Sequence, residues 1–481
     1  MSHAASLGER RFPAGTLALG ALGVVVATAF GFAAGYGTAA ALIPAGLLVG
    51  VAILVGAAFR PFLGFRVMAA SVILLACWVM PSGKGINALD LLLMPVLAAS
   101  ILGGVRREAA LADVAAFDGP GRDIVTATRR LTRAVILYFT IIAVSLLTML
   151  AQGRAHDAIP GSLILVREFQ GMLLFPLALW WLRDERRIRA TIAAMLAGGA
   201  VFAIVNVVGK VAGGVKRMGL GWYVNQPEWP IDYPSDGALA MLLLIVLLLV
   251  RQRLRHQRRN LVMIAVALAM IVLTFSRSGL IALLAFTLLC LPRARITWVI
   301  GGAVALAALL PLVPAGWWER MARTVTHEKG SYETYTTLIR VFAWKTAIPM
   351  FLDHPVFGVG FMGFSPLSSA YNDLRIVLHP VENYYLEMAT SLGLIGLAGL
   401  TLVVVRLFQL GRAVGRHAAP GTVAHALARY HAPLIIALLV ANLAGDIFIG
   451  MVALGQLGLW CALLIRAGHA AVAPGPARAG A

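Results

Sequence analysis

The amino-acid sequence predicts an all-α polytopic membrane protein with about 14 transmembrane helices and one large helical extracytoplasmic loop. Three observations predict this fold class: the composition, the continuous apolar runs and the placement of the basic residues. Hydrophobic residues make up 60% of the 481 residues and charged residues only 13%, with a mean hydropathy of +0.86. Because soluble domains carry about 25% charged residues, this composition excludes a soluble protein.

The predicted transmembrane helices follow from the apolar runs, since a helix needs about 20 apolar residues to cross the hydrocarbon core. The runs are continuous and do not alternate in polarity, which favours helices over the strands of a membrane barrel. The predicted spans are 14–35, 38–58, 62–80, 88–104, 134–151, 162–182, 190–212, 236–250, 261–275, 278–292, 296–314, 383–405, 432–447 and 449–465.

The positions of the basic residues predict the orientation of the spans. If residues 1–12 are cytoplasmic, every second connection is cytoplasmic, and these connections carry the arginine clusters, such as those in 183–189 and 251–259. The opposite connections, such as 152–161, are nearly free of basic residues, in agreement with the positive-inside rule. We therefore expect both termini, including a flexible tail at 467–481, in the cytoplasm. The net charge of +19 then reflects topology and not nucleic acid binding.

A long polar segment at 315–382, which we call the outer segment, divides the chain into a block of eleven spans at 13–314 and a block of three at 383–466. Loops longer than about 15 residues are usually functional or disordered. Within this segment the apolar residues of Ser331–Leu352 have the spacing of an amphipathic helix. We predict an ordered cap on the outer face of the membrane.

Ionisable side chains near the outer ends of the predicted spans indicate a functional site, because such groups are costly inside a membrane. Arg167 and Lys210 lie at this level, Arg277 occupies the turn between two spans, and Arg340 belongs to the outer segment. Arginine binds phosphate through forked, charge-assisted hydrogen bonds. Together these basic side chains form a polar layer, which predicts a site for a lipid-linked phosphate or pyrophosphate. A local ion pair between Arg167 and Glu168 is the structural alternative.

Beyond this layer, the sequence offers one candidate for sugar binding and none for a metal or a cofactor. Trp222, in the outer connection 213–235, could stack on a sugar ring, and an interfacial aromatic belt is the alternative explanation. The three cysteines lie in apolar runs without the spacing of metal ligands. The dinucleotide-like pattern of Gly358, Gly360 and Gly363 lacks the preceding strand that such a site needs, so we interpret it as a turn.

Three motifs, in order along residues 274–400, resemble those of the O-antigen ligase and polysaccharide polymerase superfamily. They lie around one large outer loop, as in that family. The motifs are Thr274-Phe-Ser-Arg277-Ser-Gly279, the stretch from Arg340-Val-Phe-Ala-Trp344 to Asp353-His-Pro-Val-Phe-Gly358-Val-Gly360, and Glu382-Asn383-Tyr-Tyr-Leu386 followed by Gly393-Leu-Ile-Gly396.

This resemblance implies a metal-independent, inverting transferase that moves a glycan from undecaprenyl pyrophosphate to an acceptor sugar hydroxyl on the outer face of the bacterial inner membrane. Segment 315–382 would be the catalytic loop. Arg277 and Arg340 would hold the pyrophosphate leaving group as its negative charge develops, and Arg167 and Lys210 are further candidates for this role.

A base would assist the attacking hydroxyl. Ligases typically have a histidine before the asparagine, whereas this sequence has Glu382, so Glu382 and the nearby His379 are rival candidates, with Glu382 preferred. Asn383, Trp344 and Trp222 are candidate glycan contacts. The carboxylate resembles the polymerase branch, so a surface-polysaccharide polymerase is our first interpretation. An O-antigen ligase that transfers the glycan to lipid A-core is the alternative.

The implied partners are the lipid bilayer, an undecaprenyl-pyrophosphate-linked oligosaccharide, a glycan or lipid A-core acceptor, a flippase and a chain-length regulator, without nucleic acid. A polyprenol-glycan flippase or other transporter is the alternative from another class. Transporters tend to have internal repeats and polar groups at the bilayer midplane, whereas the polar layer here lies on one side. The enzyme hypothesis requires Arg277, Arg340 and Glu382 to lie close together.

Overall fold

The structure, a computed structural model, describes residues 61–74, 121–213, 234–274, 276–291, 332–378, 381–445, 448 and 451–472. Every regular element in these ranges is a helix, which confirms the predicted all-α membrane class. The helices are α1 (Pro61–Leu74), α2 (Gly121–Ala151), α3 (Ala155–Trp181), α4 (Glu185–Gly213), α5 (Pro234–Leu254), α6 (Arg258–Leu273), α7 (Arg277–Cys290), α8 (Tyr332–Asp353), α9 (Phe364–Leu367), α10 (Tyr384–His417), α11 (Val423–Ala441) and α12 (Met451–Val472).

Six of these helices, α2, α3, α4, α5, α10 and α11, are long and apolar enough to cross a membrane. Helix α5 lies at the centre of the bundle, where residues 238–248 are all buried. The span at 62–80 is described only as far as Leu74. Four further predicted spans lie outside the described residues: 14–35, 38–58, 88–104 and 296–314.

Consecutive helices from α2 to α7, and again from α10 to α12, alternate in direction between two ends of the bundle. We call these the loop end, near Arg154, and the arginine end, near Arg253. At the loop end, Nη1 of Arg154 donates to the carbonyl of Val359 in the outer segment (2.8 Å). At the arginine end, Nε of Arg253 on α5 donates to the Tyr430 hydroxyl on α11 (3.1 Å). The arginine clusters between α3 and α4 and between α5 and α6 therefore lie opposite the outer segment.

The predicted limits of several spans are corrected. Helix α3 begins at Ala155 rather than at 162, and helix α11 is Val423–Ala441 rather than 432–447. Helix α2 begins at Gly121 rather than at 134, and its added turns are amphipathic, with Arg129 and Arg130 exposed and Ile124 and Leu131 buried. Such turns do not form a continuous apolar run, because polar and apolar residues alternate along the sequence as the helix turns from one face to the other. Helix α10 extends to the arginine end beyond its predicted limit of 405 for the same reason.

Helix α10 is interrupted at Gly393, whose φ of 64° and ψ of −160° are not helical. The turn that follows α8 packs into this interruption and replaces helical hydrogen bonds. The Val359 amide donates to the Thr390 carbonyl (2.9 Å), and the Leu394 amide donates to the Pro355 carbonyl (2.8 Å). Backbone hydrogen bonds therefore join the outer segment to the spanning bundle and hold the end of α8 against α10.

The helix predicted at 331–352 is confirmed as α8. It packs through small side chains, with Ala343 and Ala347 almost completely buried, whereas Leu338 is 61% and Ile348 50% exposed. Leu338 and Ile348 therefore face away from the protein, whereas Phe342 packs against the buried cluster around Ala343 and Ala347. The location of this face on the outer surface of a membrane stays a prediction.

Candidate active site at the loop end

The structure brings together two predicted site residues, Arg340 on α8 and Glu382 directly before α10. Both Nε and Nη2 of Arg340 contact Oε2 of Glu382. The side chains are 28% and 45% exposed, respectively. Because solvent-exposed ion pairs contribute only about 0–1 kcal/mol to stability, the fold depends little on this pair. Both groups are accessible to a ligand.

Arg277, the third predicted residue, reaches the same helix. Ser276 caps α7 by accepting a hydrogen bond from the Gly279 amide (3.1 Å), which places Arg277 in the first turn. Nη1 of Arg277 donates to the Thr337 hydroxyl on α8 (3.2 Å). Thr337 precedes Arg340 by three residues, about one helical turn and ~4.5 Å along the axis. The two arginines therefore meet on one stretch of α8.

The backbone before α10 directs Glu382 towards Arg340. Glu382 has a φ of 51°, which lies in the left-handed region and is unfavourable for residues other than glycine. Asn383 follows in extended geometry and caps α10, because its Oδ1 accepts hydrogen bonds from the amides of Tyr385 (3.1 Å) and Leu386 (3.2 Å). Asn383 was predicted to contact glycan, and the structure gives it this capping contact.

Trp344, another predicted glycan contact, lies one turn after Arg340 on α8. Its Nε1 donates to the carbonyl of Val381 (3.0 Å), and its side chain is partly buried. The indole therefore fixes the residue immediately before Glu382, while part of its ring remains open beside the ion pair.

Glu387 is a buried acid at this site that the sequence analysis missed. Its side chain is 1% exposed, its Oε2 accepts from the Val381 amide (3.3 Å), and its Oε1 accepts from the Ser391 hydroxyl (3.0 Å). The signal was present in the sequence: a carboxylate directly follows the third motif within an apolar span, where charged groups are rare without a function.

The contacts that connect Arg277, Arg340 and Glu382 around α8 do not include Arg167. It is half-buried on α3, and its neighbour Glu168 is 4% exposed and lines an apolar cavity of about 80 Å³ between helices. Tyr138 and Tyr384 also line this cavity, and their hydroxyls are hydrogen-bonded to each other (2.9 Å). Of the described ion pairs, none includes Glu168, so the pair with Arg167 proposed as a structural alternative is not among them.

Three predicted residues cannot be placed in the site. His379 and Trp222 lie outside the described residues, and of Lys210 only the helical backbone in α4 is described. Their assignments stay predictions.

The described part of the chain contains no group of three or more His, Cys, Asp or Glu side chains that could hold a metal ion.

Tyr371, in the outer segment, is unsuited to act as a base. Burial and the neighbouring Asp353 carboxylate both raise the pKa of its phenol, which therefore stays protonated at neutral pH. Gly358 and Gly360 belong to a turn, as predicted, and both have positive φ.

The fold and this site together define a multi-span helical membrane protein with a cationic and carboxylate cluster at one end. Comparison with known families gives a match for part of the chain: residues 261–401 match the family model described as O-antigen ligase. The match confirms the predicted resemblance to the O-antigen ligase and polymerase superfamily. It covers α6, α7, α8 and the first half of α10, and so includes Arg277, Arg340, Glu382 and Glu387.

No curated protein matches the chain. The family match covers less than half of the chain and shows what residues 261–401 are similar to.

Proposed function

We propose that this protein is a membrane glycosyltransferase that transfers a glycan from undecaprenyl pyrophosphate to a sugar hydroxyl on the outer face of the bacterial inner membrane. The observation that carries the proposal is the clustering of Arg277, Arg340 and Glu382 around α8. All three lie in the segment that matches the O-antigen ligase family.

Arg277 and Arg340 are proposed to bind the pyrophosphate. Negative charge grows on the leaving group as the bond to the anomeric carbon breaks, and two guanidinium groups stabilise that charge. We propose a metal-independent reaction because these groups can supply the positive charge themselves. Arg167 and Lys210 remain candidates for a secondary contact with the same anion.

Glu382 is the proposed base, with His379 as its rival. The carboxylate accepts the proton of the acceptor hydroxyl while the hydroxyl oxygen bonds to the anomeric carbon, opposite the departing pyrophosphate, which gives inversion. In the structure, Arg340 occupies the Glu382 carboxylate. A bound pyrophosphate competes for Arg340 and releases Glu382 to accept the proton. Donor binding would therefore precede activation of the base.

The acceptor separates two candidate functions. Glu382, at a position where ligases typically have histidine, favours a polymerase of O-antigen or exopolysaccharide, in which another lipid-linked glycan is the acceptor. The description of the matched family favours a ligase, in which lipid A-core is the acceptor. We propose the polymerase and retain the ligase as the second candidate.

The proposed topology has fourteen spans, cytoplasmic termini and the catalytic loop 315–382 in the periplasm. It rests on the arginine clusters at the end of the bundle opposite α8. A flippase that delivers the donor and a chain-length regulator are the proposed partners. The transporter alternative is disfavoured because the cluster of charged groups lies at one end of the bundle and not at mid-depth.

Complementation of a strain that lacks this protein tests the proposal. The variants are Arg277→Ala, Arg340→Ala, Glu382→Gln and His379→Ala, with surface polysaccharide separated by length on a gel. Arg375→Ala is the matched control, because Arg375 is an exposed arginine of the same outer segment. The amount of each variant in the membrane is measured in parallel.

We expect both arginine variants at the site and Glu382→Gln to lose polymer by at least tenfold, and the control to retain it. Only short, attached chains would identify a polymerase, and long, unattached chains a ligase. Loss with His379→Ala and retention with Glu382→Gln would transfer the role of base to His379. Full activity of both site arginine variants would contradict the proposal.

A further inference from the structure

The peptide that precedes the proposed base is held from both sides. The Val381 amide donates to Oε2 of Glu387 (3.3 Å), and the Val381 carbonyl accepts from Nε1 of Trp344 (3.0 Å). Val381 itself is fully buried. The orientation of this peptide plane is therefore fixed by one side chain from α10 and one from α8.

This anchoring explains how Glu382 keeps its unfavourable backbone geometry. A non-glycine residue in the left-handed region costs about 1–2 kcal/mol, and such strain persists only where the surroundings impose it. Glu382 has a φ of 51° and lies between the anchored Val381 and the capping Asn383. Both of its neighbours are fixed, so its carboxylate is directed to Arg340.

The hydrogen bond from Val381 is not needed to begin α10. The side chain of Asn383 already satisfies the amides of Tyr385 and Leu386, and its carbonyl accepts from the Glu387 amide (2.9 Å). Placing a carboxylate in a buried position is costly unless it is hydrogen-bonded. The carboxylate of Glu387 uses one oxygen within the helix, on Ser391, and directs the other back to the segment that carries Glu382.

We propose that Glu387 is a positioning residue, which holds the Val381 peptide so that the Glu382 carboxylate lies where it can meet Arg340 and the acceptor hydroxyl. The inference rests on the proposed function of Glu382. It assigns Glu387 no contact with substrate, because its side chain is buried and both carboxylate oxygens are occupied by protein donors.

The test compares Glu387→Gln, Glu387→Ala and Ser391→Ala in the full-length protein in membrane vesicles. The donor is a lipid extract that contains the host's undecaprenyl-pyrophosphate-linked glycan, added over a range of concentrations. Ser391→Ala is the matched control, because it removes the second hydrogen bond of Glu387 and leaves the contact with Val381. Hydrogen exchange of the Val381 amide is measured on the same proteins after reconstitution.

Glu387→Ala removes both acceptor oxygens. Glu387→Gln is nearly isosteric and can keep both contacts, because its amide oxygen can accept from the Val381 amide while its NH2 donates to the Ser391 hydroxyl. For Glu387→Ala we expect the rate at saturating donor to fall about tenfold and exchange at Val381 to rise about tenfold, because the buried Val381 amide loses its acceptor. The donor concentration at half-maximal rate should stay within about twofold, since Arg277 still binds donor. Glu387→Ala should lose more activity than Glu387→Gln, and Ser391→Ala should lose less than threefold.

Glu382→Gln is assayed alongside, so that failure of this inference can be told from failure of the proposed function. Full activity of Glu382→Gln would overturn the role of Glu382 itself. Loss of activity in Glu382→Gln together with wild-type rate and exchange in Glu387→Ala would overturn only the positioning role. A change in half-maximal donor concentration equal to the change in rate would also overturn it, because the effect would then lie in donor binding.

Discussion

The interruption of α10 makes a specific prediction for Gly393→Ala. The φ of 64° and ψ of −160° at Gly393 fall in a region that is almost exclusive to glycine. A Cβ built there would lie 2.4 Å from the carbonyl oxygen of Val356 and 2.7 Å from the amide nitrogen of Phe357. Both contacts are with backbone, so no side-chain rotation can relieve them, and the turn after α8 must move away from α10.

The magnitude follows from the strain and from the hydrogen bonds that this movement breaks. Backbone strain of this kind costs about 1–3 kcal/mol. The amides of Leu394 and Ile395 donate to carbonyls of the displaced turn, and each such bond contributes about 0.5–1.5 kcal/mol. We expect Gly393→Ala to lower the free energy of unfolding by about 2–6 kcal/mol in total.

Gly421→Ala provides the matched control. Gly421 also has positive φ, 83°, but nothing lies within 4 Å of a Cβ built there. Only the conformational cost of about 1–2 kcal/mol should remain. Unfolding of the purified protein by titration with SDS in mixed micelles measures both variants, and limited proteolysis reports opening of the outer segment. Equal losses of stability in the two variants, without faster cleavage after α8, would refute the account of this junction.

Two further predictions concern hydrogen bonds of single side chains. Thr337→Val removes the hydroxyl that accepts from Arg277. It should lower the transfer rate in vesicles about threefold to tenfold, as expected when a hydrogen bond that contributes about 0.5–1.5 kcal/mol is lost. An unchanged rate would contradict this orienting role. His431→Leu should lower the free energy of unfolding by about 2–4 kcal/mol in the SDS titration. The ring of His431 is fully buried between the Leu407 carbonyl (2.9 Å) and the indole Nε1 of Trp460 (2.9 Å), so a loss below about 1 kcal/mol would contradict its structural role.

The fold class was predictable because membrane insertion leaves its signals in local sequence. Apolar runs located α4 and α5, and the arginine clusters indicated which end of the bundle lies opposite the loop. The limits of α2 were less predictable, because its first turns contact the protein on one face only. The face of α8 that packs was also not predictable, since small residues such as Ala343 and Ala347 allow close approach without a strong hydrophobic signal.

The candidate site, too, was predictable from the sequence only in part. Arg277, Arg340 and Glu382 were found because charged groups in motifs stand out against an apolar background. Their connections could not be deduced, because the residues involved are distant in the chain and depend on packing. Trp344 was expected to face a glycan, yet its indole nitrogen bonds to Val381, 37 residues away in the chain. The role of Glu387 could be recognised only from the structure, because it depends on the position of the Val381 peptide.

The release of lipid pyrophosphate tests the central claim most directly. The protein would be reconstituted in liposomes with the host's lipid-linked glycan, and undecaprenyl pyrophosphate and newly formed glycosidic bonds would be quantified together by mass spectrometry. The proposed transferase predicts one undecaprenyl pyrophosphate released for each bond formed, with both products reduced at least tenfold in Arg340→Ala. Movement of intact lipid-linked glycan across the bilayer without release of the pyrophosphate would contradict the account and favour a transporter.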